Sequence, residues 1–312
     1  MIFHSFDYFV FFVAVFALYW CLGRVLQNAL LLAASYVFYG YIHPWFLLPL
    51  LAATLIDYAC AIGIEERPQW KKGILAVSLT ASLGMLCVFK YAGFFVENVR
   101  AALLGLGLPS FTYHLEILLP VGISFYTFQS IGYIVDVYRG QTRACRNLLD
   151  YSLYVCFFPQ LVAGPIERAS RLIGQIQKPR SLNIEAAQSA LMLILWGIFK
   201  KLVIADNVAV ICNKVFALRE PDFALLWVGV FAFAIQIFAD FSAYTDIARG
   251  SARLLGFDLM ENFRNPYFAH SPGDFWRRWH ISLSTWLRDY VYIPLGGSKG
   301  SSRRTAINLL LT

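Results

Sequence analysis

The chain alternates between long apolar runs and short polar breaks over its whole length. Apolar runs fall near 6–22, 25–42, 45–64, 73–92, 116–138, 148–163, 186–206, 223–241 and 279–295, and another begins at Thr305. Most hold about 17–22 residues, enough to cross a hydrocarbon layer of about 30 Å as a helix. Lipid offers backbone groups no partners, so crossing segments of this kind must bond within themselves. The pattern predicts an all-α polytopic membrane protein. The first run lacks a preceding basic stretch and a following small-x-small cleavage site, so it reads as a retained span. With no internal repeat and no low-complexity tract, residues 1–312 read as a single membrane domain.

The polar breaks carry the orientation. Basic residues gather at Arg24, Arg67/Lys71/Lys72, Arg139/Arg143/Arg146, Arg168/Arg171/Lys178/Arg180, Arg249/Arg253/Arg264 and Lys299/Arg303/Arg304, whereas the predicted outer loop 93–114 holds only Arg100. With the N-terminus outside, alternating spans put these clusters in the cytoplasm. The run 148–163 breaks the alternation unless it re-enters, and its Phe158-Pro159-Gln160 and Gly164-Pro165 suit a re-entrant hairpin. Such backbone is tolerated only inside protein or beside a watery cavity. An internal polar site is therefore expected. Residues 164–185 form the longest polar connection and are expected to carry surface helices.

Composition agrees. The chain is 59% hydrophobic and 14% charged, where a soluble domain carries about a quarter charged residues. The net charge of +7 is the cytoplasmic Lys/Arg excess, and no nucleic-acid partner is expected. Six scattered cysteines with no CxxC pair predict neither a disulfide framework nor a metal site; five lie in apolar runs as small core residues. Cys145, in a basic juxtamembrane loop, is open to acylation.

The densest chemistry lies at 271–297, with three tryptophans, three arginines, two aspartates and a histidine. Ser271-Pro272-Gly273-Asp274 predicts a helix start, with Ser at the N-cap and Pro at the first helical position. A continuous helix would align Trp276, Trp279, Leu283, Trp286 and Tyr290 as an aromatic stripe and leave Arg277, His280, Ser284 and Arg288 on a flank. That is an interfacial amphipathic helix. His280 then has two readings: an interfacial histidine bonded to a neighbour, or a general base.

A second polar line, Gln236, Asp240 and Tyr244, shares one face of the run 223–241, and ionisable groups at such depth normally mark a functional pathway. Asp246 and Arg249 suit a structural ion pair. Gln129, Gly132 and Asp136 share a face of the run 116–138, where the glycine predicts close helix approach. Lys200-Lys201 is expected to snorkel to an interface. His270-x-x-x-Asp274 is discounted because Asp274 is explained as a helix-start residue, and Gly296 to Gly300 lacks Walker spacing and reads as a turn. His4, His43 and His114 have no metal-ligand spacing.

Three stretches together resemble the membrane-bound O-acyltransferase family. They are Leu-Pro-Val-Gly-Ile-Ser-Phe-Tyr-Thr-Phe-Gln-Ser-Ile-Gly-Tyr at 119–133, Phe-Phe-Pro-Gln-Leu-Val-Ala-Gly-Pro-Ile-Glu-Arg at 157–168, and Phe-Ala-Asp-Phe-Ser-Ala-Tyr-Thr-Asp-Ile-Ala-Arg-Gly at 238–250. The last runs on through Glu-Asn-Phe-Arg-Asn-Pro-Tyr at 261–267 into Arg-Trp-His-Ile-Ser-Leu-Ser-Thr-Trp-Leu-Arg-Asp-Tyr at 278–290. The resemblance implies a ring of transmembrane and re-entrant helices around an internal tunnel in a bacterial inner membrane, with a periplasmic N-terminus. It implies transfer of an acyl group, acetyl being the expected one, from a cytoplasmic thioester such as acetyl-CoA towards an exported polysaccharide such as alginate. No tightly bound cofactor is expected. The implied partners are the acyl donor, an acyl carrier, the polysaccharide acceptor, periplasmic acetyltransferases and membrane lipid.

His280 matches the first of the family's two signature histidines. The second, in a Trp-His-Gly context, lies beyond Thr312. The expectation is therefore the front part of a longer protein, truncated at its C-terminus and inactive without the remaining helices. Arg277, Arg278 and Arg249 are the expected cationic rim for the donor's phosphates. Gln129, Gln236, Asp240, Tyr244, Trp279 and Ser284 are further candidates for substrate or donor binding. Two other readings stand open: a transporter with Gln236 and Asp240 on its path, and a non-catalytic scaffold for periplasmic enzymes.

Overall fold

The computed structural model describes residues 1–109, 118–162 and 164–312, and His114 lies outside them. Every regular element among the described residues is helical. The first four helices are α1 (Phe6–Trp20), α2 (Arg24–Gly40), α3 (Leu47–Glu66) and α4 (Lys71–Gly105). α5 (Ile123–Tyr138), α6 (Leu148–Cys156), α7 (Phe158–Leu161) and α8 (Ala169–Ile176) follow. α9 (Ile184–Phe199) passes through a π-helical turn, Lys200–Ala205, into α10 (Asp206–Phe216). The chain then forms α11 (Phe223–Leu254), α12 (Pro272–Arg278), α13 (Ile281–Leu287) and α14 (Ser302–Leu311).

Three helical stretches are long and apolar enough to cross a membrane: Pro44–Glu66, Pro68–Gly105 and Phe223–Leu254. α1 has 15 residues and rises only about 22 Å, less than the run 6–22 predicts. α4 departs the other way. It continues through most of the predicted outer loop 93–114, because Glu97 to Leu104 contains good helix formers and no proline. It ends where Leu108 N–H bonds back to Leu103 O across Gly107, which is left-handed at φ 68°. The run 148–163 breaks as expected. Phe157 leaves the helical region between a nine-residue and a four-residue helix, neither able to span.

The apolar core continues into an apolar outer surface, and a set of polar and charged groups is buried within it. Phe6, Phe94, Phe231 and Leu310 are largely exposed, while Asn28, Asp57, Asp150, Glu167 and Lys200 are buried. Each of these buried groups has partners. Asn28 donates to Asp150 Oδ1 at 2.9 Å, and Asp57 accepts from Ser78. The cysteines follow the expectation in part. Cys156 and Cys212 are buried, but Cys21 and Cys87 lie on the apolar outer surface. Cys145 is 5% exposed, held under Tyr133 and Asn147, and so is not presented for acylation.

α9 and α11 form the tightest pairing, and small residues allow it. A Cβ on Gly197 would sit 2.8 Å from Ala243 O and 2.7 Å from Ile247; one on Gly250 would sit 2.7 Å from Ala190 O and 2.6 Å from Ile194. The helices run antiparallel, with Ala190 opposite Gly250 and Ala243 opposite Gly197. Backbones that approach this closely gain dispersion contacts that lipid cannot replace. Gly250→Leu should destabilise the protein by about 3 kcal/mol or more, read as a lower thermal midpoint in detergent, whereas Gly73→Ala, at a glycine with nothing within 4 Å, should leave it unchanged.

Candidate functional site

The segment 271–297 starts as its sequence predicts. Ser271 Oγ accepts from Asp274 N–H at 3.1 Å, Pro272 opens α12, and Asp274 pairs with Arg278 at 3.1 Å. It does not continue as one helix. Trp279 is extended, and His280 is left-handed at φ 43°. A left-handed histidine costs about 1–2 kcal/mol, so something must hold it. The holder is the segment 262–264: Arg264 N–H donates to Arg278 O at 3.0 Å, and Asn262 O accepts from Ile281 N–H at 3.0 Å. Asn262 Oδ1 also accepts from Ser282 N–H at 3.1 Å. One side chain therefore caps the first turn of α13 and pins the bend in place.

The bend dismantles the predicted aromatic stripe. Trp276 faces out, while Trp279 packs among Phe263, Phe275, Tyr267 and Phe238. Trp286 is buried against Phe128, donating Nε1–H to its carbonyl at 2.8 Å. It also fills the space above Gly132, where a Cβ would meet Nε1 at 3.2 Å, so the close approach expected there is real. Tyr290 donates to Asp136 at 2.8 Å.

His280 is thereby turned inward. Its ring meets Phe241 edge-on at 4.8 Å, with Phe125 at 6.3 Å and Phe263 at 6.5 Å. Nε2 is buried without a hydrogen-bond partner among the described residues. Burial among aromatic rings pushes the imidazole down to about 4, so it is neutral at physiological pH. A buried, neutral, unpartnered ring nitrogen can hold a hydroxyl or a carbonyl-bearing group, the class of contact that acyl chemistry uses.

The other predicted residues separate into distinct places. Ser284 Oγ donates to Trp279 O at 3.0 Å and supports the bend. Ser284 and Arg277 border a groove of about 520 Å³ with Trp276, Thr285 and Arg288. Gln129 belongs to a buried amide knot, accepting from Gln160 at 3.1 Å and donating to Tyr154 O. Gln236 has a buried amide oxygen without a partner. Asp240 and Tyr244 do not join His280. Asp240 binds Lys201 at 2.7 Å, and the Lys201 ammonium lies 5.7 Å over the Tyr244 ring.

One expectation is corrected here. Lys200 and Lys201 do not snorkel. Lys200 is 8% exposed and bonds Asp246 at 2.6 Å and Ser242 at 2.9 Å, and Lys201 bonds Asp206 at 2.8 Å as well as Asp240. The acids of α11 and α10 take both charges because pairing offsets burial better than stretching the side chains outward. Nor are the three rim arginines equally free. Arg249 lies between Asp246 at 3.5 Å and Glu261 at 3.8 Å, and Arg278 is taken by Asp274, which leaves Arg277 exposed.

Asn262 and Glu167 were not singled out by pattern. Glu167 is 1% exposed, with one oxygen accepting from Met260 N–H and the other unpartnered. Burial raises its carboxyl to about 7 despite Arg171 and Arg249 nearby, and Asp258 adds to the rise. The available signal was positional: each is a polar residue inside a motif, Gly-Pro-Ile-Glu-Arg or Glu-Asn-Phe-Arg-Asn-Pro, with an apolar neighbour on one side and a charged one on the other.

The family model of the membrane-bound O-acyltransferases matches residues 141–312, which include this bend, the segment 262–264 and Glu167. The chain belongs to that family. It is 42% identical over its whole length to a protein named probable alginate O-acetylase from Pseudomonas syringae, covering 61% of that protein. It is 34% identical over 90% of its length to a peptidoglycan O-acetyltransferase of Helicobacter pylori, covering 58%, and 29% identical over 55% to a teichoic acid D-alanyltransferase of Bacillus subtilis, covering 45%. The chain thus spans about three-fifths of the length of the curated alginate O-acetylase relatives it matches. Family membership and the long apolar helices make it a membrane protein.

Glu167 yields a pH prediction in this family member. Its folded value lies near 7 against an ordinary 4.5, so the folded state holds a proton that the unfolded chain releases. That contribution is complete below pH 4.5 and is lost as pH rises through 7, a change of about 3 kcal/mol. His280 acts oppositely and lower down, costing stability as pH falls from 6.5 towards 4. Between pH 6.5 and 8 the wild-type thermal midpoint should fall, and in Glu167→Gln that slope should flatten.

Proposed function

We propose that the chain serves a membrane O-acyltransferase activity that passes an acetyl group from a cytoplasmic thioester, acetyl-CoA or an acylated carrier, towards an exported polysaccharide such as alginate. The observation that carries this reading is His280: a neutral imidazole held in a strained bend, with a buried nitrogen that no group among the described residues satisfies. The relatives named for O-acetyl and D-alanyl transfer support the reaction class. The cytoplasmic excess of Lys and Arg supports an inner-membrane protein with its N-terminus in the periplasm. Periplasmic acetyltransferases are the expected partners that finish the transfer.

The chemistry follows from the site. Transfer joins an acceptor hydroxyl oxygen to the thioester carbon and releases the thiol. An imidazole near 4 is a poor store for the hydroxyl proton, because a general base works best with a value near the operating pH. His280 is better suited to accept a hydrogen bond from the acceptor and hold it in line. The main base work then falls to the second signature histidine that the family resemblance implies. Arg277, exposed on the groove beside Ser284, meets the donor's phosphates.

In inside-out vesicles carrying the whole protein, radiolabel from acetyl-CoA should appear on polymer or protein, not as intact donor in the lumen. His280→Ala should lower that transfer about 100-fold or more while membrane insertion stays at the wild-type level. Wild-type transfer in His280→Ala would remove the residue from the reaction, and label accumulating as intact acetyl-CoA would point to transport instead.

A further inference from the structure

We propose that Asn262 is a further catalytic residue, whose side-chain Nδ2 donates to the carbonyl oxygen of the acyl group as that oxygen gains negative charge. This rests on the acyltransferase reading, and it goes beyond the signature histidine to the group that would stabilise the intermediate.

Four observations lead to it. Asn262 is 1% exposed, so its polar atoms have been taken from water. Its Oδ1 accepts from Ser282 N–H, which fixes which end of the amide faces which way, since the reverse orientation would set two donors against each other. Its backbone oxygen accepts from Ile281 N–H, which places the residue directly against the bend that carries His280. Finally, Nδ2 is buried with no partner among the described residues, as is His280 Nε2.

An unsatisfied buried donor costs about 1–3 kcal/mol, and such groups in native proteins call for an explanation. The nearby buried acid does not supply one. Glu167 gives one oxygen to Met260 N–H and leaves the other unpartnered, so it does not take the Asn262 amide. An oriented donor without an acceptor among the described residues, on the segment that bonds the bend carrying His280, is the kind of group that stabilises a transient oxyanion. It is aligned in advance, so no reorganisation is needed when the charge develops.

The step balances as follows. The acceptor hydroxyl oxygen forms a bond to the thioester carbon, and the carbonyl π pair moves onto oxygen, where Asn262 Nδ2–H meets it. The pair then returns, the carbon–sulfur bond breaks, and the hydroxyl proton passes by way of a histidine to the departing thiolate. No oxidant or reductant is required.

The test uses the whole protein in inside-out vesicles with acetyl-CoA as the probe. Asn262→Asp is nearly isosteric and keeps an oxygen for Ser282 N–H while removing the donor. It should lower kcat by about 10²–10³-fold, with KM for acetyl-CoA and the thermal midpoint near wild type. Asn262→Ser, which also lacks the amide donor, should show the same loss of kcat should the buried aspartate prevent folding. An unchanged kcat in either folded variant overturns the proposal, as does a change confined to KM. A wild-type protein that transfers no acetyl group instead overturns the acyltransferase reading itself.

Discussion

A polar group taken out of water must find its partner inside the chain, and this constraint organises the molecule from α1 to α14. The outer surface is apolar, so carboxylates, amides and ammonium groups are gathered inward and satisfied by one another. Lys200 with Asp246, Lys201 with Asp206 and Asp240, Asn28 with Asp150, and Gln129 with Gln160 are local solutions to the same problem. Twelve buried side-chain atoms nevertheless lack a partner among the described residues, and three of them lie on segments joined to one another. His280 Nε2, Asn262 Nδ2 and Glu167 Oε2 belong to three segments that bond directly to one another: Met260 N–H to Glu167, Ile166 N–H to Ser282, and Ile281 and Ser282 N–H to Asn262.

α11 divides the interior into two polar systems. Its Phe241 ring meets His280 edge-on, while the next residue back, Asp240, bonds Lys201. A salt-bridge network and a neutral imidazole site thus share one helix, and burial, not the charges of that network, sets the protonation of the imidazole. The aromatic side of the helix supplies low dielectric to the histidine, and its charged side anchors α9 and α10. That division explains why Asp240 and Tyr244, aligned with Gln236 by helical spacing, support the architecture and not the imidazole.

Much of this was readable beforehand, for reasons that can be named. Ser271-Pro272-Gly273-Asp274 announced a helix start because capping is a local interaction among four consecutive residues, and the structure places the cap there. The break at Phe157 was legible from Pro159 and Gly164-Pro165, again a local signal. The bend at Trp279-His280 was not. Nothing in Arg-Trp-His-Ile-Ser forbids a helix, and the bonds that break it come from Asn262 and Arg264, which lie earlier in the chain. The pairing of Lys200 and Lys201 failed for a similar reason, since their partners on α11 are some forty residues away. Periodicity sees one helix at a time; the site is made where helices and connecting segments meet.

The π-helical turn at Lys200–Ala205 carries a consequence of its own. Neighbours on an α-helix point about 100° apart, so two consecutive lysines would ordinarily address different surroundings. Here both reach α11, at acids six positions apart along it. A π turn is in effect an α-helix that has accepted one inserted residue, and the insertion is what lets adjacent charges share a single partner helix. Deleting one of Leu202, Val203 or Ile204 would keep both bonding lysines, yet rotate all of α10 about its axis by about 100° relative to α9. The segment is thus sensitive to length more than to composition: substitutions within it can be compensated one at a time, but a change in residue count cannot.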